Sequence, residues 1–220
     1  AIARALVFGP DVLLLDEPLS ALDKNLREQL QAELKRIHRE VGTTFVFVTH
    51  DQSEALSLST RVAIFNEGEI AQIGDPESVY SAPDNRFVAE FLGRINLLPV
   101  TGVERDGTSA RAAYGSNSLT ARVGEHTATT DRMLIAVRPE HMSVHAERPT
   151  GVDNAIQTHV IDSVYHGATT TLTLDAGAGG PELTTTLMNN DSAFRLRAGD
   201  DVWRGWDEDK GILMADTPSA

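Results

Sequence analysis

The sequence predicts an α/β unit followed by a β-rich one. Three observations carry that prediction. Up to Gly93, short apolar runs alternate with stripes of helical period. From residue 97 to 215 the chain is rich in Thr, Val, Gly and Ala, and no helical stripe persists. Between these textures lies a change that divides residues 1–94 from residues 95–220 as two expected domains.

In the first domain, "VLLLD" (12–16) is a short continuous apolar run, as expected of a strand buried on both faces. From Leu22, apolar residues recur at Leu26, Leu30, Leu34, Ile37 and Val41, which makes one stripe on a helix. Its other face carries charges, Arg27 among them, and Gly42 is the expected stop. "TFVFVTH" (44–50) predicts the next strand. "DQSEALSL" (51–58) predicts a short helix with Asp51 and Glu54 in capping-box spacing. "RVAIFNEGEIAQIG" (61–74) reads as a hairpin turning at "NEGE". "DPESVY" (75–80) has a cap Asp and Pro at the first helical position, and "RFVAEFLG" (86–93) is a further amphipathic helix ended by Gly93. Strand–helix–strand order implies a parallel sheet with helices packed on it.

In the second domain, the runs "LLPVTGV", "MLIAVRPEHMSV", "THVIDSVYHGATTTLTL", "ELTTTLM" and "DVWRGW" are broken by Gly, Asp and Asn clusters. That pattern predicts a small β-barrel or sandwich. "DAGAGGPE" (175–182) reads as a loop. Arg138, Glu140 and His141 in "VRPEHM" are expected to define a turn, and Trp203 and Trp206 to serve core and interface.

Composition limits the partners. At a net charge of −13 over 220 residues, nucleic acid is not the expected main partner, because phosphate contacts need a Lys/Arg surface. There is no cysteine, hence no disulfide, thiolate zinc site or Cys nucleophile. His126, His141, His145, His159 and His166 share no metal-ligand spacing. No apolar run approaches the ~20 residues that cross a bilayer.

The chemistry gathers at "LLLDEP". Side chains at the C-terminal end of a parallel strand face the crevice where ligands bind in open α/β sheets. Asp16 there suits Mg²⁺ held through water, since Mg²⁺ dehydrates reluctantly. Glu17, one residue on, could orient or deprotonate an attacking water. His50 ends the next strand, and neighbouring parallel strands would put it beside Glu17, within reach of a terminal phosphate. Together these three make a phosphoryl-transfer constellation. Ser20 reads as a helix cap with Asp23 as its capping-box partner.

In order and spacing, "LLLDEP", "SALD" (20–23) and "VTHD" (48–51) resemble the ATPase subunit of ABC transporters. "LLLDEP" is similar to the Walker B segment with its catalytic glutamate, "SALD" to the D-loop and His50 to the switch histidine. "AIARAL" (1–6) resembles the helix after the family's signature sequence. "DPESVYSAPDNRFVAEFLGRINLL" (75–98) with "VRPEHM" resembles importer subunits that carry a C-terminal TOBE domain, an oligonucleotide-fold-like barrel. "DSVYHGATTTLTL" (162–174) and "DVWRGWDEDKGILM" (201–214) are most similar to the spermidine/putrescine branch.

The resemblance implies part of a P-loop NTPase sheet in residues 1–94 and a TOBE-like domain for regulation or dimerisation in 95–220. It implies ATP and Mg²⁺ as cofactors, with Asp16, Ser20 and Asp23 at the nucleotide and Glu17 and His50 in catalysis. The implied partners are a second ATPase subunit, two membrane-spanning permease subunits and, indirectly, a solute-binding protein. The implied location is the cytoplasmic side of the plasma membrane. The sequence holds no G-x-x-x-x-G-K-[ST] loop. It opens at Ala1 in mid-pattern, as expected of a segment whose N-terminal part lies upstream, and alone it is expected to bind ATP poorly. Iron(III), sulfate and sugar importer subunits share most of these landmarks. A different class of reading gives the segment one autonomous activity, regulatory binding of a small solute by the β-rich half.

Overall fold

A computed structural model describes residues 2–124, 127–128, 130–177, 180–189 and 196–216. Ala1 of the "AIARAL" segment, His126 and residues 178–179 of the 175–182 loop lie outside the described residues. By contacts the chain divides into two compact units, Ala1–Val79 and Tyr80–Ala220.

The first unit begins with a short helix α1 (Ile2–Leu6) and a strand β1 (Val12–Asp16). Helix α2 (Lys24–Val41) follows. Asp23 caps its start by accepting the Leu26 amide at 3.0 Å, and Gly42 ends it in the left-handed region at φ 71°. Strand β2 (Thr44–Val48) pairs parallel with β1, Asp16 opposite Val48. Then come α3 (Gln52–Leu58) and the hairpin β3 (Val62–Asn66) and β4 (Glu69–Gly74). The hairpin turns at Glu67 and Gly68, both at positive φ (50° and 86°), as a tight turn matched to strand twist requires.

Burial corrects one expectation. β1 is buried on one face, not two: Leu13 and Leu15 lie inside, while Val12 and Leu14 are 50% and 73% exposed. The cause is the size of the sheet. β1 and β2 form a two-stranded sheet, which has one covered side rather than the two covered sides of a multi-stranded parallel sheet. The α2 stripe is similarly thin, with Leu34 the residue fully buried.

The second unit begins within α4 (Pro76–Ser81), whose start is capped by Asp75 accepting the Ser78 amide at 2.9 Å. Among the described residues it holds α5 (Arg86–Phe91) and ten strands: β5 (Asn96–Asp106), β6 (Ser109–Tyr114), β7 (Asn117–Val123), β8 (Met133–Val137), β9 (Ser143–His145), β10 (Asn154–Tyr165), β11 (Thr169–Asp175), β12 (Glu182–Met188), β13 (Asp201–Trp206) and β14 (Gly211–Ala215). Strands β14-β7-β6-β5-β8 close into a barrel, and β12-β11-β10-β13-β9 form a five-stranded sheet. The barrel matches the expected architecture; the additional sheet goes beyond it.

These two bodies are similar modules that exchange their last strands. In each, a first strand pairs antiparallel with a fourth, Asn96 opposite Val137 and Asn154 opposite Trp206. Each fourth strand runs into a 3₁₀ turn, Pro139–His141 or Glu208–Lys210. The strand after that turn joins the other module: β9 pairs with β13, and β14 with β8. Two buried asparagines join the modules. The Asn96 amide brackets the backbone of Thr184 (2.7 and 2.8 Å), and that of Asn154 brackets Thr120 (2.7 and 3.0 Å). Each side-chain amide stands in for a missing strand partner, so a buried backbone donor and acceptor stay paired.

Arg138 sets where the second unit begins. Its guanidinium is 3% exposed and donates to the carbonyls of Ala89 (2.9 Å), Gly93 (3.3 Å), Arg94 (3.2 Å) and Tyr80 (3.4 Å). It also lies over the Tyr80 ring at 4.2 Å, and Tyr80 donates to Glu140 at 2.6 Å. Ala89 packs among Leu134, Ala136, Ile212 and Met214. Residues 80–94 therefore belong with the barrel, although their helical texture grouped them with the first half in the sequence. Burial, then the Glu140 bond, pushes the Tyr80 phenol up to about 12.

Arg204 is buried too, but without such partners. On the inward face of β13 it lies between Val202 and Trp206 and is 0% exposed. One nitrogen donates to the Met142 carbonyl at 2.6 Å, while Nε and Nη1 have no hydrogen-bond partner among the described residues. The same position of the other module, two residues before the end of β8, is Ile135, also 0% exposed. Arg204→Ile is therefore expected to stabilise the second unit by about 1–4 kcal/mol, as when hydrophobic residues replace poorly compensated buried charge. The gain should depend on pH. Burial lowers the Arg204 guanidinium to about 9. Below pH 9 folded and unfolded chains are both protonated, and the cost of the buried charge is fully present. Above pH 9 the folded chain gives up its proton while the unfolded chain still holds it, so the advantage of Ile shrinks. Urea unfolding of both proteins at pH 7 and 10 measures it; a less stable variant at pH 7 would contradict this reading.

Candidate functional site

The site lies at the C-terminal ends of β1 and β2. Because the strands are parallel neighbours, both ends open at one edge. Asp16 is the last residue of β1 and is exposed. Glu17 carries the pairing one step further, its amide donating to the Val48 carbonyl at 2.8 Å. Its backbone then turns into the left-handed region, at φ 42°. A non-glycine residue there is uncommon and needs support. The support comes from Ser20, whose amide and hydroxyl both donate to the Glu17 carbonyl, at 3.3 and 3.0 Å.

His50 stands two residues beyond β2. Its Nδ1 is 3.1 Å from Glu17 Oε1, with the imidazole 73% and the carboxylate 48% exposed. A carboxylate and an imidazole thus meet at an open strand edge, beside a second carboxylate on Asp16. The arrangement can hold a proton between Glu17 and His50 and present both to a polar ligand.

Ser20 and Asp23 lie in the turn between β1 and α2. Ser20 does not cap α2, as one reading expected, because its hydroxyl is turned back onto Glu17. Asp23 is the cap instead, one residue before the helix. Among the described residues no cluster of three or more His, Cys, Asp or Glu could hold a metal ion. Asp16 nonetheless fits Mg²⁺, which takes one or two carboxylates and completes its shell with water and phosphate oxygens.

Around His50, Asp51 is the cap that the sequence predicts, while the roles of Glu54 and Arg27 go beyond it. Asp51 caps α3, accepting the Ser53 and Glu54 amides at 2.9 and 3.2 Å. The Ser53 hydroxyl, these amides and the Arg27 guanidinium hold its carboxyl below the usual range. Glu54 does not close the capping box on Asp51. It is 2% exposed and accepts the Thr49 hydroxyl at 2.7 Å. Arg27, assigned by periodicity to a solvent face, reaches Asp51 at 3.0 Å.

Comparison with known proteins bears on both units. Residues 135–214 match the family model described as the TOBE domain. Over that stretch the chain is similar to the TOBE domain. The match opens within β8 and runs into β14, so the matched segment includes the strand exchange between the two modules. The whole chain is similar to spermidine/putrescine import ATP-binding proteins, PotA. It is 44% identical to that of Rubrobacter xylanophilus over 217 residues, covering 97% of this chain and 56% of the relative. To that of Thermobifida fusca it is 42% identical over 215 residues, with 97% and 56% covered. To that of Nitrosomonas europaea it is 43% identical over 213 residues, with 94% and 58% covered. The chain spans about half the length of the curated relatives it matches. These relatives bear out the resemblance to importer ATP-binding subunits with a TOBE domain, and to the spermidine/putrescine branch. Among solved structures, the molybdate-binding protein ModG aligns with a TM-score of 0.46 at 17% identity, over 55% of this chain and 95% of that one.

Proposed function

We propose that the chain is part of the ATP-hydrolysing subunit of a polyamine importer of the ABC class. The observation that carries this reading is the Glu17–His50 contact at the shared end of two parallel strands. The names of the relatives supply the polyamine. Glu17 orients the water that attacks the terminal phosphate and accepts its proton. His50, held against Glu17, turns its remaining ring nitrogen toward the phosphate. Asp16 would hold Mg²⁺, which when bound with ATP would neutralise phosphate charge. Ser20 and Asp23 lie on the turn that meets the nucleotide of a second subunit, so that two subunits close around ATP.

Hydrolysis opens that dimer and resets two permease subunits, which a solute-binding protein loads from the other side. The subunit works at the cytoplasmic face of the plasma membrane as a peripheral protein. Among the described residues no helix is long and apolar enough to cross a membrane. The TOBE domain supplies dimer contact and a regulatory surface.

The test uses the intact protein with its permease subunits and solute-binding protein in sealed vesicles. ATP-dependent uptake of labelled spermidine or putrescine is expected, with hydrolysis rising when the binding protein is loaded. Uptake of sulfate, iron(III) or a sugar instead would replace the polyamine and keep the class. No solute-coupled hydrolysis would overturn both.

A further inference from the structure

We infer that Arg27 is a positioning residue that ties the Ser20–Asp23 turn to the loop carrying His50. This rests on the reading of the strand edge as a nucleotide site. Arg27 sits in the first turns of α2, its amide bonded to the Asp23 carbonyl at 2.9 Å. Its guanidinium serves three groups from two separate segments. Nη2 donates to the Leu22 carbonyl at 3.0 Å, inside the turn. Nη1 donates to Asp51 Oδ2 at 3.0 Å, one residue after His50. Nε lies 3.6 Å from Glu54 Oε1, an ion pair without a hydrogen bond.

From Glu54 the connection returns to the other side of His50. Glu54 Oε2 accepts the Thr49 hydroxyl at 2.7 Å, and that hydroxyl accepts the Asp51 amide at 3.0 Å. Both neighbours of His50 are thus anchored, while the imidazole itself is free to meet Glu17 and solvent. A carboxylate 2% exposed needs a cation, and Arg27 is the cation the structure gives it. Arg27 therefore fixes the loop and the turn against each other. A displacement of the turn by a second subunit reaches His50 through one rigid, planar side chain. Lysine cannot replace it, because a single ammonium cannot hold three groups in a fork.

Two variants separate positioning from simple support. In this chain, Arg27→Gln is expected to shift and broaden the His50 imidazole signals in NMR and to weaken its cross-relaxation with the Glu17 side chain. Glu54→Gln, which loosens the same loop from the opposite side, should move the same signals. Arg27→Lys keeps the charge and should restore little. In the intact protein, Arg27→Gln is expected to lower kcat about 10- to 100-fold at nearly unchanged KM for ATP, the cost of a misplaced group rather than a lost one.

Unchanged His50 signals in a folded Arg27→Gln chain would overturn the inference. So would full rescue of those signals by Lys. If Arg27→Gln does not fold, Glu54→Gln decides by the same signals. The NMR outcome stands apart from the nucleotide reading. An intact wild-type protein that hydrolyses no ATP would sink that reading while leaving the His50 response interpretable.

Discussion

Intact protein carrying Glu17→Gln is expected to keep ATP and lose turnover. The amide has nearly the size and shape of the carboxylate and still offers an oxygen to His50, so the 3.1 Å contact can persist. The left-handed turn at Glu17 is held by backbone bonds from Ser20 and to Val48, none of which the substitution touches. Asp16, the expected Mg²⁺ residue, is untouched as well. What disappears is the ability to accept a proton from water. Loss of a positioned general base costs typically 10²–10⁴ in rate. Phosphate release in the steady state should fall by about that factor, while equilibrium binding of ATP stays near wild type.

Replacing Arg138 by leucine should be the most damaging change to the second unit. Four carbonyls, those of Tyr80, Ala89, Gly93 and Arg94, lose a charged donor together. Hydrogen bonds to charged groups contribute about 1.5–3 kcal/mol each, and a buried acceptor left empty costs its desolvation. The face of Tyr80 also loses its cation, worth about 0.5–2 kcal/mol. Against this stands the cost of burying the guanidinium, visible in the lowered proton affinity that burial gives Arg138. A net loss of about 2–4 kcal/mol follows. Urea unfolding measures it, and limited proteolysis should cut first within residues 80–94. Arg204 makes the contrast. It is as deeply buried as Arg138, yet two of its nitrogens lack partners, so its removal is expected to stabilise. Partners, not burial, set the sign.

The strand edge was legible because its causes are local. An apolar run that ends in two acids, then a second run that ends in histidine, fixes where both termini fall once the strands are parallel neighbours. Gly42, Asp51 and Asp75 were likewise readable as stops and caps, because capping depends on residues a few positions apart. Arg27 was not. Periodicity sorts helix residues by face, and nothing in the spacing of Arg27 and Asp51 says they meet 24 residues apart. Of the two readings of Ser20, the cap fails because its hydroxyl has a nearer acceptor, the Glu17 carbonyl.

In the β-rich unit the runs of residues were clear and their pairing was not. β9 and β14 cross between modules, and that exchange depends on contacts far apart in sequence. Arg204 had a faint signal: in "VWRGW" it occupies the inward position of a strand whose neighbours on that face are Val202 and Trp206. A charge in that register marks an anomaly that the sequence alone could flag but not explain.

The central assignment makes Glu17 the group that activates water at a nucleotide held beside His50. The most direct test is to incubate the intact Glu17→Gln protein with Mg²⁺ and ATP, separate it from free nucleotide, and identify what it holds. Uncleaved ATP, retained long after the wild type has converted its own to ADP, is the predicted result. ADP recovered at the wild-type rate would contradict it.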